Sequence, residues 1–539
     1  MTPIDRRSFL AAIPAALALP RLARAADAEI DVFLEEPIGT ISSRLHGHFV
    51  EHLGGVVYGG VWVGPDSKIA NINGIRKALV DAMKPIGSTV VRWPGGCFAD
   101  SYDWRDGVGP RQNRPRRANF WSDAGRLKSL PESLPAKNDP NEFGTNEFIH
   151  FCQLVGAEPY LAANLRALPP KDFYQWIEYC NSPADASTLG KLRASAGDTE
   201  PFRVRFWGVG NESWGCGGEM TAAEYSVEYR RFTAWVPRYP DTPLSFVASG
   251  PNGGDPRWTH EFFSAIAAKN PGLFNQIWGW ALHYYCGTIG RGDSLKFSAE
   301  DAYELLRNAD RMEALVRQTW DIMGETDREH KVKLVVDEWG DWHNDDTAVA
   351  PQDLFCSIPT MRDALVAGLT MDTFHRHADK IAMANVAQLV NCIQTVFLAD
   401  GDRFAVTPTY HVFRMYKDHR EGQAVRSQFS APDVGYAFDG KNQHVVRLAG
   451  SASVANHRLV VTAVNNSLSD ALDTTIELHG GTAKAAQGEV LTAPDIHAHN
   501  DFENPEAVKP EPMAVKAAGK SVQVRIPAAS VIKILVDLA

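Results

Sequence analysis

Apolar positions along the chain follow two rhythms, and the change between them divides it. Near the start Ile30, Val32 and Leu34 alternate with acidic residues, the period of a half-buried strand, until Pro37 and Gly39 end the pattern. The middle of the chain repeats an amphipathic segment, a breaker and a short apolar run. Ile75, Leu79 and Met83 recur at helical spacing, Pro85 and Gly87 interrupt, and Thr89-Val90-Val91 follows as a buried strand. Phe148, Phe151, Val155, Gly156 and the run from Pro159 repeat that order. Eight strand candidates result, at 47–50, 89–92, 159–163, 204–209, 244–248, 277–282, 333–336 and 393–398. Helical patterns separate most of them. One, over 221–235, opens with Thr221 and Glu224 in capping-box spacing. Another, over 302–323, has Leu305, Leu306, Met312, Leu315 and Val316 on one side. Eight buried strands alternating with helices over about 370 residues predict an α/β fold of the (β/α)8 TIM-barrel type with large loop insertions. A doubly wound open sheet is the alternative that strand counting leaves open.

Near residue 419 the rhythm changes. A polar connector at 419–435 precedes short apolar runs at 445–448, 459–461, 474–478, 522–526 and 532–536, separated by Gly, Asn, Asp and Pro. These predict a C-terminal β-sandwich over 419–539. The strand near residue 30 has no helix after it, so residues 26–45 are expected to join that sandwich, leaving 46–418 to the barrel.

Composition narrows the picture. Of the 539 residues 44 % are hydrophobic and 22 % charged, which excludes a disordered, collagen-like or coiled-coil chain. Residues 1–25 hold four Arg and one Asp, a charge of +3, so a total of −11 leaves −14 on the rest. So acidic a surface argues against nucleic acid as a partner. Arg6 and Arg7 before Ser8-Phe9-Leu10, an Ala/Leu-rich stretch and Ala23-Arg24-Ala25 read as a Tat-type export signal over 1–25, which places the protein in the periplasm or outside the cell. No other apolar run has membrane-spanning length. The seven Cys are an odd number with no CxxC pair and read as mostly free thiols.

Chemistry in a barrel sits at the carboxyl ends of the strands. After the fourth strand candidate comes Gly208-Val209-Gly210-Asn211-Glu212-Ser213-Trp214, and after the seventh Asp337-Glu338-Trp339-Gly340-Asp341-Trp342. Two carboxylates on one rim meet the need of glycoside hydrolysis, in which one protonates the leaving oxygen and the other attacks or activates water. Strand alternation predicts that Asp337 points away from Glu338. The short Gly208-Val209-Gly210 lacks the third glycine of a phosphate cradle.

This pair of motifs resembles the large clan of (β/α)8 retaining glycosidases. The resemblance narrows with Arg92-Trp93-Pro94-Gly95-Gly96-Cys97-Phe98, Tyr102-Asp103-Trp104 followed by Gly107-Val108-Gly109-Pro110, the segment from His46 to His52, and the segment from Phe374 to Asp379. Together they are similar to the family 51 α-L-arabinofuranosidases, from about residue 29 to the end of the chain. The resemblance implies a retaining, exo-acting enzyme that needs no cofactor or metal and releases terminal arabinofuranosyl groups from arabinoxylan, arabinan or their oligosaccharides. It implies Glu212 as general acid/base, Glu338 as nucleophile, and Asn211 at the sugar 2-hydroxyl. Glu51, Arg92, Cys97 and Gln388 match sugar-contacting positions, with Cys97 where members carry Asn or Cys. His283 and Tyr285 match the pair beside the nucleophile, and Trp342 an aromatic wall. Homo-oligomers are expected on the same ground. Another glycosidase on this scaffold (β-xylosidase, endoglucanase or galactofuranosidase) and a non-catalytic carbohydrate-binding protein are the rival readings.

His46-x-His48 and His375-x-His377 lack a third ligand at metal spacing and read as structural. Arg111, Arg114, Arg116 and Arg117 read as a solvated loop or a subunit contact.

Overall fold

The structure, a computed structural model, describes residues 27–287, 293–344, 349–350 and 352–539. The expected signal over 1–25 lies outside the described residues.

Eight parallel strands close into a barrel in chain order: Gly47–Phe49, Val90–Trp93, Glu158–Ala163, Phe206–Val209, Ser245–Ala248, Gly279–Tyr285, Lys333–Gly340 and Ile381–Val386. Asn385 and Val386 pair with Gly47 and His48 and close the ring. Val90, Tyr160, Phe206, Val247, Ala281, Val335 and Met383 fill its interior as one packed layer, so the barrel is a solid core and not a pore. Seven of the expected strands fall where the apolar runs lie. The eighth is corrected: it is Ile381–Val386, directly after the helix Met361–Arg376. The run at 393–398 is no barrel strand, because Ile393 has a left-handed φ of 55°, and Phe397–Asp400 turns back to pair with Arg403–Val406.

The helices follow their end signals. Ala222–Thr233 starts at the Thr221–Glu224 capping box, and Ala299–Gly324 starts at a second box made by Ser298 and Asp301. Each buries an apolar stripe on the barrel's outer wall.

The C-terminal region is a ten-stranded sheet that curls until Ala483–Thr492 meets Val515–Ala518, enclosing its own core of Ile30, Val32, Leu459, Val461, Ile476, Ile532 and neighbours. Strand Ala28–Thr40 lies inside this sheet, antiparallel to Gln423–Ser430 and parallel to Leu472–His479. Helix Met361–Arg376 is buried almost along its whole length, because the barrel covers one side and strands Leu448–Ala455 and Arg458–Asn465 cover the other.

Candidate active site

The carboxyl ends of the strands deliver the polar residues. The second strand places Arg92, buried, at the barrel mouth. The fourth strand, buried at every residue, is followed by Gly210 at φ 82° and then Glu212 at φ 40°. A left-handed Glu is uncommon, and such backbone is held only where its surroundings fix it. The sixth strand extends far enough to carry both His283 and Tyr285.

The seventh strand departs from simple alternation. Val335 pairs with Ala281 while Glu338 pairs with His283, and on the other side Val336 pairs with Ala384 while Trp339 pairs with Val386. Three steps on this strand match two on each neighbour, which is a β-bulge at Val336–Asp337. Val335 faces the interior layer, so alternation would send Asp337 inward and Glu338 out. The bulge re-aims Glu338. The expectation that Asp337 and Glu338 point apart is therefore corrected: both meet the same guanidinium, Glu338 at 2.6 Å from Arg92 Nη1 and Asp337 at 3.4 Å from Arg92 Nε.

Glu338 is the most surrounded group of the site. Arg92 donates to its Oε1 at 2.6 Å and the Tyr285 hydroxyl donates to Oε2 at 2.7 Å. His283 Nδ1 lies 3.5 Å from Oε2 and 3.1 Å from Glu212 Oε1. Burial alone would raise the Glu338 carboxyl, but His283, Arg92 and Tyr285 together hold it below the usual range. His283 pays a burial penalty too, yet the two carboxylates favour its charged form. One oxygen of Glu212, one nitrogen of His283 and one oxygen of Glu338 all lie within 4.8 Å of one another. A Cβ on Gly96 would stand 2.8 Å from Glu338 Oε1, so the chain passes the carboxylate closely only without a side chain. Arg92 Nη2 donates to Asn211 Oδ1 at 2.6 Å, which orients that amide toward the mouth.

Glu51 forms the opposite flank. It accepts from Phe98 N at 3.1 Å, Trp121 Nε1 at 3.2 Å and Gln388 Nε2 at 3.1 Å. Burial, helped by the charge of Glu338, pushes its carboxyl up to about 7. Trp342 is half-buried and packs edge-on against Tyr285 and Phe355, with ring centres 5.0 and 4.9 Å apart. All ten residues singled out from the sequence thus gather at one end of the barrel. A cavity of about 1190 Å³ elsewhere, lined by Trp235, Tyr239 and Trp278, has no carboxylate in its wall.

Known proteins match this chain over most of its length. The model of the α-L-arabinofuranosidase 1 domain matches residues 82–271, and that of the α-L-arabinofuranosidase C-terminal domain matches 337–530. An intracellular exo-α-L-arabinofuranosidase of Bacteroides ovatus is 34 % identical over 94 % of this chain and 95 % of its own. The crystal structure of the GH51 arabinofuranosidase from Xanthomonas axonopodis pv. citri superposes with a TM-score of 0.87 at 34 % identity, over 95 % of this chain and all (100 %) of that one. The chain belongs to the α-L-arabinofuranosidases of glycoside hydrolase family 51. The α-L-arabinofuranosidase of Thermotoga maritima, solved as an arabinose complex, superposes with a TM-score of 0.80 at 28 % identity, over 95 % of this chain and 100 % of that one.

Two expectations need correction for this family 51 enzyme. The first is export. The relative from Bacteroides ovatus and one from Streptomyces lividans, 31 % identical over 88 % of this chain and 70 % of its own, are both named intracellular, and the export reading is withdrawn. The described residues contain no helix long and apolar enough to cross a membrane. The second concerns Cys97, matched to a sugar-contacting position among cysteines read as mostly free thiols. It is joined to Cys216 in a disulfide, which ties the loop after the second strand to the loop after the fourth. The two sulfurs lie 3.9 and 3.7 Å from Glu212 Oε2. A disulfide has no proton to give, so this contact is a packing wall. Cys152, Cys180 and Cys286 are buried thiols.

Sequence reasoning missed Trp121, Phe355 and Cys216. Trp121 and Phe355 come from long irregular loops, where no periodicity marks a residue as facing the site. Cys216 lies five residues beyond Asn211, in the motif already singled out, but nothing in its spacing points to Cys97. The basic loop is ion-paired: Arg111 and Arg114 meet Glu147, and Arg117 meets Asp106.

Proposed function

We propose that this exo-acting α-L-arabinofuranosidase works by double displacement, with Glu338 as nucleophile and Glu212 as acid/base. Its substrates are terminal arabinofuranosyl groups of arabinoxylan, arabinan or their oligosaccharides. The observation that carries the reading is the approach of the two carboxylates, with oxygens within 4.8 Å. This supports retention, for which carboxyl groups stand about 5–5.5 Å apart, whereas inversion needs roughly 6.5–9.5 Å. In the first step Glu338 bonds to the anomeric carbon while Glu212 gives its proton to the departing glycosidic oxygen. In the second Glu212 takes a proton from water, which adds to the same carbon and frees Glu338. Arg92 and Tyr285 favour the ionised nucleophile. Asn211, Glu51 and Gln388 are placed to bind sugar hydroxyls, Tyr285 and Trp342 to wall the ring, and the disulfide of Cys97 to pack against the acid/base. Residues 46–418 form the catalytic unit and 419–539, with 26–45, the second; the functional form is a homo-oligomer, as family resemblance implies.

Azide separates the two roles. Glu338→Ala loses activity on nitrophenyl α-L-arabinofuranoside by at least about 10⁴-fold, and azide restores turnover with an inverted glycosyl azide. Glu212→Ala keeps the first step on this good leaving group, and azide restores turnover with a retained one. Equal losses that azide leaves untouched would remove the assignment. Natural arabinan and arabinoxylan, run beside nitrophenyl xylosides and galactofuranosides, test the substrate class.

A further inference from the structure

Asp337 has no part in the two-carboxylate mechanism, yet it is buried 3.4 Å from Arg92 Nε. It is rigidly held. The Tyr160 hydroxyl, from the third strand, donates to its Oδ2 at 2.9 Å, and Asn385 Nδ2, from the eighth, donates to its Oδ1 at 3.2 Å. Arg92 is thereby engaged along three edges. Nε makes no hydrogen bond but lies 3.4 Å from Asp337 in an ion pair, Nη1 binds Glu338 and Nη2 binds Asn211, while its Cζ lies 4.6 Å from the Phe49 ring centre. A guanidinium is planar, so fixing its Nε edge fixes where both terminal nitrogens point.

We propose that Asp337 is a positioning residue that aims Arg92 at Glu338 and Asn211 and offsets its charge through the reaction. The chemistry gives the reason for the offset. Glu338 loses its negative charge when the glycosyl ester forms, and the transition states on either side build positive charge on the sugar ring. An Arg92 left without a second partner would face a neutral ester and a cationic ring in a site of low dielectric. A second acidic partner on its far edge keeps it paired when Glu338 is esterified. The β-bulge makes this possible, since without it Asp337 and Glu338 could not both face one guanidinium.

The proposal rests on Glu338 being the nucleophile, and the test keeps the two apart. Glu338 is faced by Arg92 from the second strand, His283 and Tyr285 from the sixth, Glu212 after the fourth and Glu51 after the first, with Asp337 beside it on its own strand. Asp337→Asn keeps the shape and removes the charge. On nitrophenyl α-L-arabinofuranoside its kcat/KM falls about 10²-fold, the size expected of a misplaced catalytic group. The acidic limb of its pH profile moves down by about one pH unit, since a negative neighbour of Glu338 is gone. Tyr160→Phe removes a donor that disperses the Asp337 charge, so its limb moves up by less than that. A slowly released arabinofuranosyl donor that traps the ester, followed by peptide mapping of wild type and Asp337→Asn, checks the premise. A label on Glu338 keeps the nucleophile assignment, and a label elsewhere sinks it whatever the limbs do. With Glu338 labelled, limbs unmoved in both variants, and activity lost only in proportion to unfolding, overturn the role of Asp337.

Discussion

The barrel mouth and the barrel–sandwich junction bury polar groups to a similar depth and treat them in opposite ways. At the mouth one guanidinium faces two carboxylates, and an imidazole between Glu212 and Glu338 is driven toward its charged form. At the junction burial leads the causes that push His46 and His375 well below the usual histidine range and His419 down to about 3. Asp372 rises there to about 6 and is wrapped by three hydroxyls, Thr462 at 2.5 Å, Ser451 at 2.7 Å and Tyr416 at 2.8 Å. His46 Nε2 meets His375 Nε2 at 3.0 Å, and His419 bonds Ser453 and Thr462. Where no charge is needed, burial is left to neutralise the group. Where the chemistry needs an anion, the fold supplies a buried Arg to hold it.

The harshest way to break this contrast is to remove the cation. Arg92→Met leaves Glu338 and Asp337 buried with no counter-charge. Breaking a buried ion pair from one side costs about 3–5 kcal/mol, and kcat/KM should fall at least about 10³-fold, since Glu338 loses its ionising partner and Asn211 its donor. Denaturant midpoints and steady-state kinetics measure both. A variant as stable as wild type would mean that the mouth is not an internally compensated cluster.

A gentler test uses Glu51, a carboxyl at the mouth raised to about 7 chiefly by burial. An ordinary Glu has released its proton by pH 6, whereas the folded protein still holds this one. Stability from this group is therefore full below about pH 4.5 and is lost as pH rises through about 7. Glu51→Gln removes that dependence. Its unfolding free energy should gain on wild type between pH 4.5 and 8, by up to ~3 kcal/mol, while activity on the nitrophenyl substrate drops. Part of the shift comes from Glu338, so the gain should shrink when the comparison is repeated in a Glu338→Gln background. A gain that does not change with pH would remove Glu51 from the charged cluster.

Much of the mouth was legible in the chain. Asn211-Glu212 follows one strand and Asp337-Glu338-Trp339 ends another, both with plain apolar runs, and the rule that barrel chemistry lies at carboxyl ends does the rest. Three things were not legible. The bulge adds one residue to the seventh strand, and alternation, which has no means of counting it, sets Asp337 opposite Glu338. The apolar run at 393–398 reads as the eighth strand as readily as the one at 381–386, and the left-handed backbone of Ile393 that rules it out leaves no mark in the sequence. The Cys97–Cys216 pair closes a loop of 119 residues in sequence separation, and only the closed barrel brings its ends together. At the junction, His46 and His375 read as structural from the lack of a third ligand. Their actual partner, each other, needed the fold.

The smallest effect is expected at the junction itself, and it sharpens the contrast by leaving catalysis alone. Asp372→Asn keeps the size of the side chain but offers one oxygen where three hydroxyls converge, so at pH 5 it should cost about 1–2 kcal/mol of stability. The sign of its pH dependence follows from the raised carboxyl. Folded Asp372 holds its proton to about pH 6, an unfolded Asp only to about 3.8, so the wild type loses stability from this group as pH rises through that window. The Asn variant has no such loss, and its deficit should narrow between pH 5 and 8. Both kcat/KM and the acidic limb of the pH profile should match wild type throughout, because Asp372 touches the sandwich strands and no residue of the mouth. A shifted limb in Asp372→Asn would show that the two polar clusters are coupled through helix Met361–Arg376, and the division between a charged mouth and a neutral junction would fail.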